Sequence, residues 1–424
     1  MGNETPSPHF LEGKTIIVAG GGISGSAFVV GLRRLWNPAW NPPKILIYDR
    51  DSPEITAQRE GYSLSLTGYN TSGGLLALRK LGLLDRIIDK AVSGLDGAGA
   101  FKIWASDWKE YITLRHEPIE GLPSSSIRVP RKDVRQAIHE ALRPSDAVEW
   151  NTRCVSAHRL DNGRVRVQVA RRTQGQDTVT DEDCDLLIAA DGASSKLRAL
   201  LRPDDNLNFA GAILRGGISR FEHDPPAPVD KDWGFMLSGT GISCFFSPVD
   251  KNSVFWGIGH LEATPVPVLD LGNSEQVQAV IDRGLELGAA LQEPFRTIVA
   301  HTDPKTVLSH NARDKPAFPH DNIDELPVVF IGDSNHAVSP FAGYGANLAL
   351  CDSWDLAEQL SKGHSLKEAT SAYDKLAVPR AMKILKDSRA RLKSGHSSGL
   401  RYWILWLMLI AGNFVRWVLG RKGT

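Results

Sequence analysis

The 424-residue chain has no excess of charge of either sign, because 49 lysine and arginine residues balance 49 aspartate and glutamate residues. Without a basic surface field or a block of like charges, the composition gives no indication of nucleic-acid binding. The chain also has only 4 cysteines, which lie far apart and form no CxxC pair. This spacing argues against a zinc site or a disulfide framework and favours a reducing compartment.

The first residues lack the apolar run of a secretory leader, because they are polar and include Pro6 and Pro8. We therefore expect a protein that is not secreted and that works on the cytoplasmic side of the membrane. Internal repeats are also missing, and no metal site is predicted. The length is sufficient for two or three domains with well-filled cores.

The first recognisable pattern is a glycine-rich turn between a strand and a helix. Residues 15–20 form a short apolar segment, residues 26–35 have helical spacing of apolar side chains, and Gly20, Gly22 and Gly25 form a GxGxxG turn between them. The first glycine permits a tight turn, the second lets the backbone approach a pyrophosphate, and the third lets helix and strand pack closely. The N–H groups at the start of the helix would bind the phosphates.

A second apolar strand, KILIYDR, follows this helix and carries Asp49 and Arg50 at its end. A carboxylate in this place can accept hydrogen bonds from the ribose hydroxyls of a dinucleotide. The alternative for Asp49 is a solvated carboxylate at a strand end. Strand, turn, helix and strand together predict a βαβ unit that binds a dinucleotide.

The middle of the chain does not continue this alternation of strand and helix. It contains alternating, aromatic-rich segments such as AFKIW, EYITL, WGFML, ISCFFSP and SVFWGIGHL. These segments predict antiparallel strands with one face turned towards a ligand or partner. Helices are predicted at residues 71–89, 131–142, 275–289 and 371–393.

Residues 328–360 form the second chemically informative stretch. Four residues that favour strands are stopped by a Gly-Asp pair that includes Asp333, and an amphipathic helix begins near Asn347. Between them Pro340, Gly343 and Gly345 let the backbone turn tightly and lie against a flat group. The simplest alternative is an ordinary connection between a strand and a helix.

Three motifs and one arginine occur in the order found in one enzyme family. They are GGGISG, Arg131, LIAADGASSKLR and IGDSNHAVSPFAGYGANLAL. The sequence resembles the class A, single-component FAD-dependent monooxygenases or aromatic hydroxylases, which include para-hydroxybenzoate hydroxylase. The resemblance covers residues 15–391, and the last segment is most similar to the tetracycline-inactivating branch. It implies an α/β fold with a Rossmann-type, GR2-like FAD-binding domain, an inserted antiparallel substrate-binding sheet and, after them, an apolar C-terminal helix.

The predicted domain boundaries follow these segments. Residues 1–93, 128–205 and 325–394 are assigned to the FAD-binding domain, 94–127 and 206–324 to the substrate-binding sheet, and 395–424 to a linker and the apolar helix.

The resemblance also implies roles for individual residues. Asp49 would hold the adenosine ribose, Arg131 the phosphate and ribityl region, and Asp333 the ribityl chain, while residues 340–347 would line the isoalloxazine. The full set of predicted cofactor-binding residues is Gly20, Gly22, Gly25, Asp49, Arg50, Arg131, Asp191, Gly192, Asp333, Gly343, Gly345, Ala346 and Asn347. Asp191 and Gly192 would also meet the passing nicotinamide. Pro340 and Arg215 are the predicted catalytic positions; His336 is expected to be structural, and Asn335 to adjust contacts near the ring.

Substrate contacts are expected from the central sheet. Arg215 is a planar cation suited to a phenolate, carboxylate or enolate, and its alternative is a surface arginine at a strand end. Phe235, Phe246, Trp256 and His260 are candidates for the pocket wall, although aromatic residues on alternating strands also form cores.

The predicted reaction uses non-covalently bound FAD, NADPH or NADH as a transient reductant, and O₂, and it inserts one oxygen atom through a flavin hydroperoxide. The predicted substrate is a lipophilic, electron-rich small molecule, with hydroxylation of an aromatic or enolic ring first and epoxidation of an isoprenoid second. A flavin-dependent halogenase or another FAD oxidoreductase is one alternative. A non-enzymatic, prenyl-binding protein like the GDP-dissociation inhibitors is another.

The apolar tail, residues 401–424, contains an uncharged run at 402–415 that would span only about 21 Å as a helix, at about 1.5 Å per residue. This is shorter than a hydrocarbon core of about 30 Å. Its tryptophans and flanking basic residues suit an anchor at a membrane surface through residues 400–424. The alternative is a helix packed on the protein or across a dimer, and the sequence leaves the oligomeric state open.

Overall fold

The structure is a computed structural model, and it describes residues 8–53 and 62–418. Its strands are β1 (Thr15–Ala19), β2 (Lys44–Tyr48), β3 (Ser63–Thr67), β4 (Phe101–Ala105), β5 (Glu110–Leu114), β6 (Ser126–Pro130), β7 (Val148–Glu149), β8 (Thr152–Arg159), β9 (Val165–Thr173), β10 (Gln176–Cys184), β11 (Leu186–Ala189), β12 (Asn208–Arg220), β13 (Trp233–Leu237), β14 (Ser243–Asp250), β15 (Ser253–Leu261), β16 (Leu308–Asp314) and β17 (Val328–Phe330). Its helices are α1 (Ile23–Leu35), α2 (Gly74–Leu81), α3 (Leu84–Ile88), α4 (Arg131–Glu140), α5 (Lys196–Leu201), α6 (Ser274–Leu287), α7 (Phe295–Ala300), α8 (Asp333–His336), α9 (Gly345–Lys362), α10 (Leu366–Gly395) and α11 (Gly399–Val418).

A five-stranded parallel sheet, in the order β17-β11-β1-β2-β7, forms the centre of one half of the molecule. Because successive side chains on a strand point to opposite faces, both faces must be covered. Ile16 and Val18 pack against α1, α9 and α10, whereas Ile17 and Ala19 pack against the antiparallel sheet β10-β9-β8. The continuous apolar character of β1 follows from this double burial.

A seven-stranded sheet, in the order β16-β12-β15-β14-β13-β4-β5, forms the centre of the other half. All of its neighbouring strands are antiparallel except β13 and β4. Helices α6 and α7 cover one of its faces through a core that includes Trp256, Phe246 and Phe295. The short ribbon β3-β6 lies against β14 at the boundary between the two halves.

The expected α/β fold with an inserted antiparallel sheet is therefore confirmed, with local differences. The helix predicted at residues 71–89 is divided into α2 and α3, because Gly82 adopts a left-handed φ of 74° and caps α2. The helix predicted at 371–393 extends further in both directions as α10 and contains Pro379. The strand predicted from Gly61 begins within the described residues at Ser63.

The four cysteines are buried and free. Within residues 8–53 and 62–418, no group of histidine, cysteine and acidic side chains is arranged to hold a metal ion. No helix in the same residues is both long enough and apolar enough to cross a bilayer. Part of the predicted anchor, residues 419–424, lies outside the described residues, as do the first seven residues of the chain.

Candidate functional site

The carboxyl ends of four parallel strands meet at one edge of the five-stranded sheet. β1 leads into the glycine-rich turn, β2 into Asp49, β11 into Asp191 and β17 into Asp333. Ligands of open α/β sheets bind outside the carboxyl ends of the strands. The fold therefore brings together the segments in which the sequence predicts cofactor contacts.

The three glycines of the turn have different surroundings. Gly20 has a φ of 114°, and a Cβ atom there would lie 2.3 Å from the carbonyl oxygen of Ala190. A Cβ atom on Gly25 would lie 2.0 Å from the carbonyl oxygen of Gly20, whereas one on Gly22 would meet no atom of residues 8–53 and 62–418 within 4 Å. Because Gly22 precedes α1 without a side-chain cap, the first N–H groups of α1 face an open cradle that fits a diphosphate.

Asp49 supports this cradle from the next strand. Its Oδ2 accepts a hydrogen bond of 2.9 Å from the Gly21 N–H, and its Oδ1 accepts one of 3.0 Å from the Asp51 N–H. Each carboxylate oxygen can accept a second hydrogen bond, so a ribose remains compatible with this geometry. Arg50 is exposed and lies 3.4 Å from Asp51, between Nε and Oδ1.

Asp191 and Gly192 follow β11. Asp191 Oδ2 accepts a hydrogen bond of 2.9 Å from the Lys196 N–H at the start of α5, while Oδ1 is buried without a partner among the described residues. Burial raises the pKa of this carboxyl group. Gly192 has a φ of 81° and open space where a Cβ atom would lie, so both residues leave room for a ligand.

Asp333 is exposed to solvent, and neighbouring protein atoms reduce the solvation of its carboxylate. This loss of solvation raises its pKa, and the nearby cationic groups of His336 and Arg131 oppose that rise. Its Oδ1 lies 3.9 Å from the position that a Cβ atom on Gly345 would occupy. Arg131, Asp333 and the start of α9 therefore lie close together.

The turn before α9 leaves hydrogen-bond donors unused. Pro340 begins a short 3-10 turn, and Gly343 ends it with a left-handed φ of 64° and nothing within 4 Å of a built Cβ atom. Helix α9 begins at Gly345 without a side-chain cap. Its first N–H groups, including that of Ala346, have no partner within the helix and no side-chain acceptor among the described residues. A planar ring with carbonyl groups fits against this backbone.

The Asn347 side chain is fully committed to the protein itself. Its Oδ1 accepts hydrogen bonds from the N–H groups of Thr67 and Gly74 at 2.9 and 2.8 Å, and its Nδ2 donates to the carbonyl oxygen of Ser65 at 2.8 Å. Asn347 is 0 % exposed. Its backbone N–H can still face a flavin, but the side chain ties α9 to β3 and α2.

The residues between β17 and the turn are buried behind the site. His336 Nε2 lies 2.7 Å from Asp352 Oδ2, and Asp352 Oδ1 accepts a hydrogen bond of 2.9 Å from Arg380. The pKa of His336 is raised because its attraction to Asp352 exceeds the effect of burial. Asn335, which the sequence places near the ring, instead bonds both the N–H and the carbonyl oxygen of Phe318.

The two faces of the seven-stranded sheet separate the predicted substrate residues. Phe235 belongs to a cluster with Leu214 and Phe341, on the face towards the turn before α9. Phe246 and Trp256 belong to the core under α6 and α7.

Arg215 and His260 also lie on the helix-covered face. Arg215 Nη1 lies 3.2 Å from His260 Nε2, and its charge interacts with Arg283 of α6 and with Glu262. The sequence predicts that Arg215, Phe246, Trp256 and His260 line the substrate pocket. The structure places them on the helix-covered face, because alternate residues on β12, β14 and β15 point to opposite sides.

Phe235 keeps its predicted place, and two aromatic residues outside the sequence-predicted set, Phe101 and Phe245, lie beside it. Phe235 packs at 4.9 Å from Phe245 and at 6.1 Å from Phe101, measured between ring centroids. All three rings remain partly exposed. We call Phe101, Phe235 and Phe245 the aromatic wall; it faces Phe341 across the boundary between the two halves.

The sequence carried only a partial signal for this wall. The segments AFKIW and ISCFFSP are recognisable as strands, but the assignment of Phe245 or Phe246 to the inner face depends on the register of β14 against β15. Nothing in the sequence singles out the buried Arg128 of β6, whose guanidinium carbon lies 5.6 Å from the Phe245 ring centre.

Fold and site together define a flavoprotein of the monooxygenase class. The model of the FAD binding domain family matches residues 55–209 and 293–388, which is more than half of the chain. The chain is also 40% identical over 394 residues to the monooxygenase cfoF of Aspergillus candidus, covering 92% of this chain and 94% of that protein. The chain therefore belongs to the family of FAD-binding monooxygenases, and the resemblance seen in the sequence is confirmed.

More distant relatives share the architecture. Zeaxanthin epoxidase of Capsicum annuum is 25% identical over 394 residues, and the chain spans 54% of its length. HpxO of Klebsiella pneumoniae, solved with FAD and uric acid, has a TM-score of 0.72 at 18% identity, with 95% of this chain and 94% of that chain covered. Tetracycline destructase Tet(51) has a TM-score of 0.67 at 16% identity, with 94% and 96% covered. These structural likenesses establish the fold.

Proposed function

We propose that this enzyme uses NADPH or NADH and O₂ to insert one oxygen atom into a lipophilic, electron-rich small molecule. Hydroxylation of an aromatic or enolic ring is the first reaction to test, and epoxidation of an isoprenoid alkene is the second. The observation that carries this proposal is the aromatic wall, which lies across from the turn at Pro340 and Gly343 and suits an apolar ring. Bound FAD, once reduced by the nicotinamide, would supply the two electrons that activate O₂.

The protein's own residues have binding and positioning roles in this proposal. Gly20, Gly22 and Gly25 with the start of α1 hold the diphosphate, and Asp49, with Arg50 beside it, holds the adenosine ribose. Arg131, Asp191, Gly192 and Asp333 hold the central part of FAD. Pro340, Gly343, Gly345, Ala346 and the backbone of Asn347 lie along the flavin ring, where the uncapped start of α9 stabilises negative charge.

The aromatic wall excludes water and orients the substrate ring. Residues 1–93, 128–205 and 325–394 act as the FAD-binding domain, and 94–127 with 206–324 act as the substrate-binding domain.

The experiment is to purify the full chain, measure its flavin absorbance, and follow NADPH and O₂ consumption with a panel of phenols, enolic rings and isoprenoid alkenes. We expect consumption of both to accelerate with a compound that gains one oxygen atom by mass spectrometry. Bound FAD without any substrate-dependent oxygen insertion would contradict the proposal. A halogenated product in the presence of halide would favour the alternative halogenase.

We also propose that α11 contacts a lipid surface. Leu400, Trp403, Leu407 and Met408 share helical spacing and are 76%, 57%, 58% and 60% exposed. Residues 388–424 contain several basic side chains and no acidic one, which complements anionic lipid. We expect the double substitution Trp403→Ser and Leu407→Ser to reduce sedimentation with anionic vesicles, while Leu271→Ser, also at an exposed leucine, does not. Equal sedimentation of all three proteins would exclude a lipid role for this face.

A further inference from the structure

A buried cation without a carboxylate partner lies beside the aromatic wall. Arg128, in β6, is 4 % exposed. Its guanidinium carbon lies 5.6 Å from the centre of the Phe245 ring, in a geometry that attracts a cation to the ring face. Phe245 belongs to the wall that faces the flavin-side turn, so the cation adjoins the place proposed for the substrate.

The groups that hold Arg128 in place are all neutral. Nη1 donates to Ser65 Oγ at 2.6 Å, and Nη2 donates to the carbonyl oxygen and the Oγ of Ser63 at 2.5 and 2.7 Å. Ser63 Oγ also donates to the carbonyl oxygen of Pro248 at 2.6 Å, which fixes the ribbon against β14. The Arg128 Nε–H has no acceptor among the described residues.

Among residues 8–53 and 62–418, no carboxylate compensates the charge of Arg128, whose pKa is shifted by burial alone. Burial lowers the pKa of Arg128 to about 9, so the side chain is still mainly protonated at neutral pH. A buried ion without a counter-ion destabilises the folded protein. The half-buried Arg380 avoids that cost, because it pairs with Asp352 and Asp355.

We propose that Arg128 recognises an anionic oxygen of the substrate, namely the phenolate, enolate or carboxylate of an otherwise apolar ring. This inference rests on the proposed function, because it assumes that the aromatic wall holds the substrate. The serines hold the guanidinium plane. Nη1 has two N–H groups and uses one of them for Ser65, in a part-buried contact, so the second is left for the ligand. The substrate anion neutralises the charge of the buried Arg128 guanidinium, and Phe245 packs against the substrate ring.

Arg128 is placed on the substrate side rather than on the flavin side of this region. Phe245 and its neighbours belong to the central sheet, whereas the negative charge of a reduced flavin meets the start of α9 at Gly345. Arg128 therefore determines which substrates bind, and the flavin does not require it.

The test uses two ring compounds of the same shape, benzoate and neutral benzamide. Each is titrated into the FAD-loaded full chain, and binding is followed by the change in flavin absorbance. We expect benzoate to bind roughly 10- to 100-fold more tightly than benzamide, as hydrogen bonds to a charged donor predict. Arg128→Met should remove this preference, and Arg128→Lys should retain part of it.

Arg215→Met is the matched control, because it removes an arginine from the face of the seven-stranded sheet opposite the aromatic wall and should leave the preference unchanged. FAD content and thermal stability are measured for every variant. We expect Arg128→Met to keep its FAD and to melt no lower than Arg128→Lys, since it removes an uncompensated buried charge.

Equal binding of benzoate and benzamide to the unmodified enzyme, no binding of benzoate at millimolar concentrations, or an unchanged preference in Arg128→Met would each overturn the inference. Failure of the proposed function has a different signature. In that case FAD-loaded protein gives no oxygen insertion with any compound, whereas the benzoate titration can still be read from the flavin absorbance.

Discussion

Gly25→Ala and Gly22→Ala each add one methyl group to the glycine-rich turn, but the surroundings of the two positions differ. In Gly25→Ala the new Cβ atom would lie 2.0 Å from the Gly20 carbonyl oxygen and 2.9 Å from Val18 Cγ1. Backbone must move to relieve this overlap, which costs about 1–3 kcal/mol of folding free energy or more. In Gly22→Ala the Cβ atom meets no atom of the described part of the chain within 4 Å, so we expect no such penalty in the apoprotein.

Two local effects of Gly22→Ala on the free energy of unfolding nearly cancel. Its φ of −73° is accessible to alanine, and the lower entropy of the unfolded chain gives about 0.4–1 kcal/mol of stabilisation. Alanine is a poorer residue than glycine before a helix, which costs a similar amount. The open space at Gly22 is where the diphosphate is proposed to approach. A methyl group there should cost binding about 1–3 kcal/mol, or roughly 5- to 150-fold in the Kd for FAD.

The assay measures urea unfolding of the apoproteins and, separately, FAD binding by quenching of flavin fluorescence. Gly412→Ala, in α11 with nothing within 4 Å of its Cβ atom, is the control for an added methyl group far from the cofactor. We expect Gly25→Ala to lower stability, Gly22→Ala to weaken FAD binding alone, and Gly412→Ala to leave FAD binding unchanged. Unchanged FAD affinity in Gly22→Ala, or a loss of apoprotein stability equal to that of Gly25→Ala, would refute the assignment of the cradle.

Two further substitutions test the buried polar groups behind the site. Asn347→Leu leaves the Thr67 and Gly74 N–H groups without their acceptor. We therefore expect the free energy of unfolding in urea to fall by about 2–6 kcal/mol. A fall below about 1 kcal/mol would show that these segments do not depend on Asn347. Because the pKa of His336 is raised in the folded protein, the stability it contributes is complete below its unfolded pKa of about 6.5 and declines as the pH rises through the folded value. We expect His336→Asn to flatten this decline in unfolding curves measured above about pH 6.5; an equally steep decline in the variant would assign it to another group.

The cofactor half could be predicted from the sequence because its signals are local. A glycine with φ of 114° at position 20, a carboxylate at the end of β2, and a Gly-Asp pair at the end of β17 each have a recognisable neighbourhood in the chain. Parallel strands then place all of these ends at one edge of the sheet. Family, fold class and FAD followed from these segments alone.

The substrate half depended on the tertiary structure, because both faces of the seven-stranded sheet are covered. Phe245 and Phe246 are equally apolar neighbours, and alternation along β14 shows that they point to opposite faces without showing which face meets the cofactor. Packing against α6 and α7 decides that Phe246 and Trp256 are core, and the same register turns Arg215 away. Arg128 reaches the aromatic wall only because the ribbon β3-β6 lies against β14, a contact between segments more than a hundred residues apart.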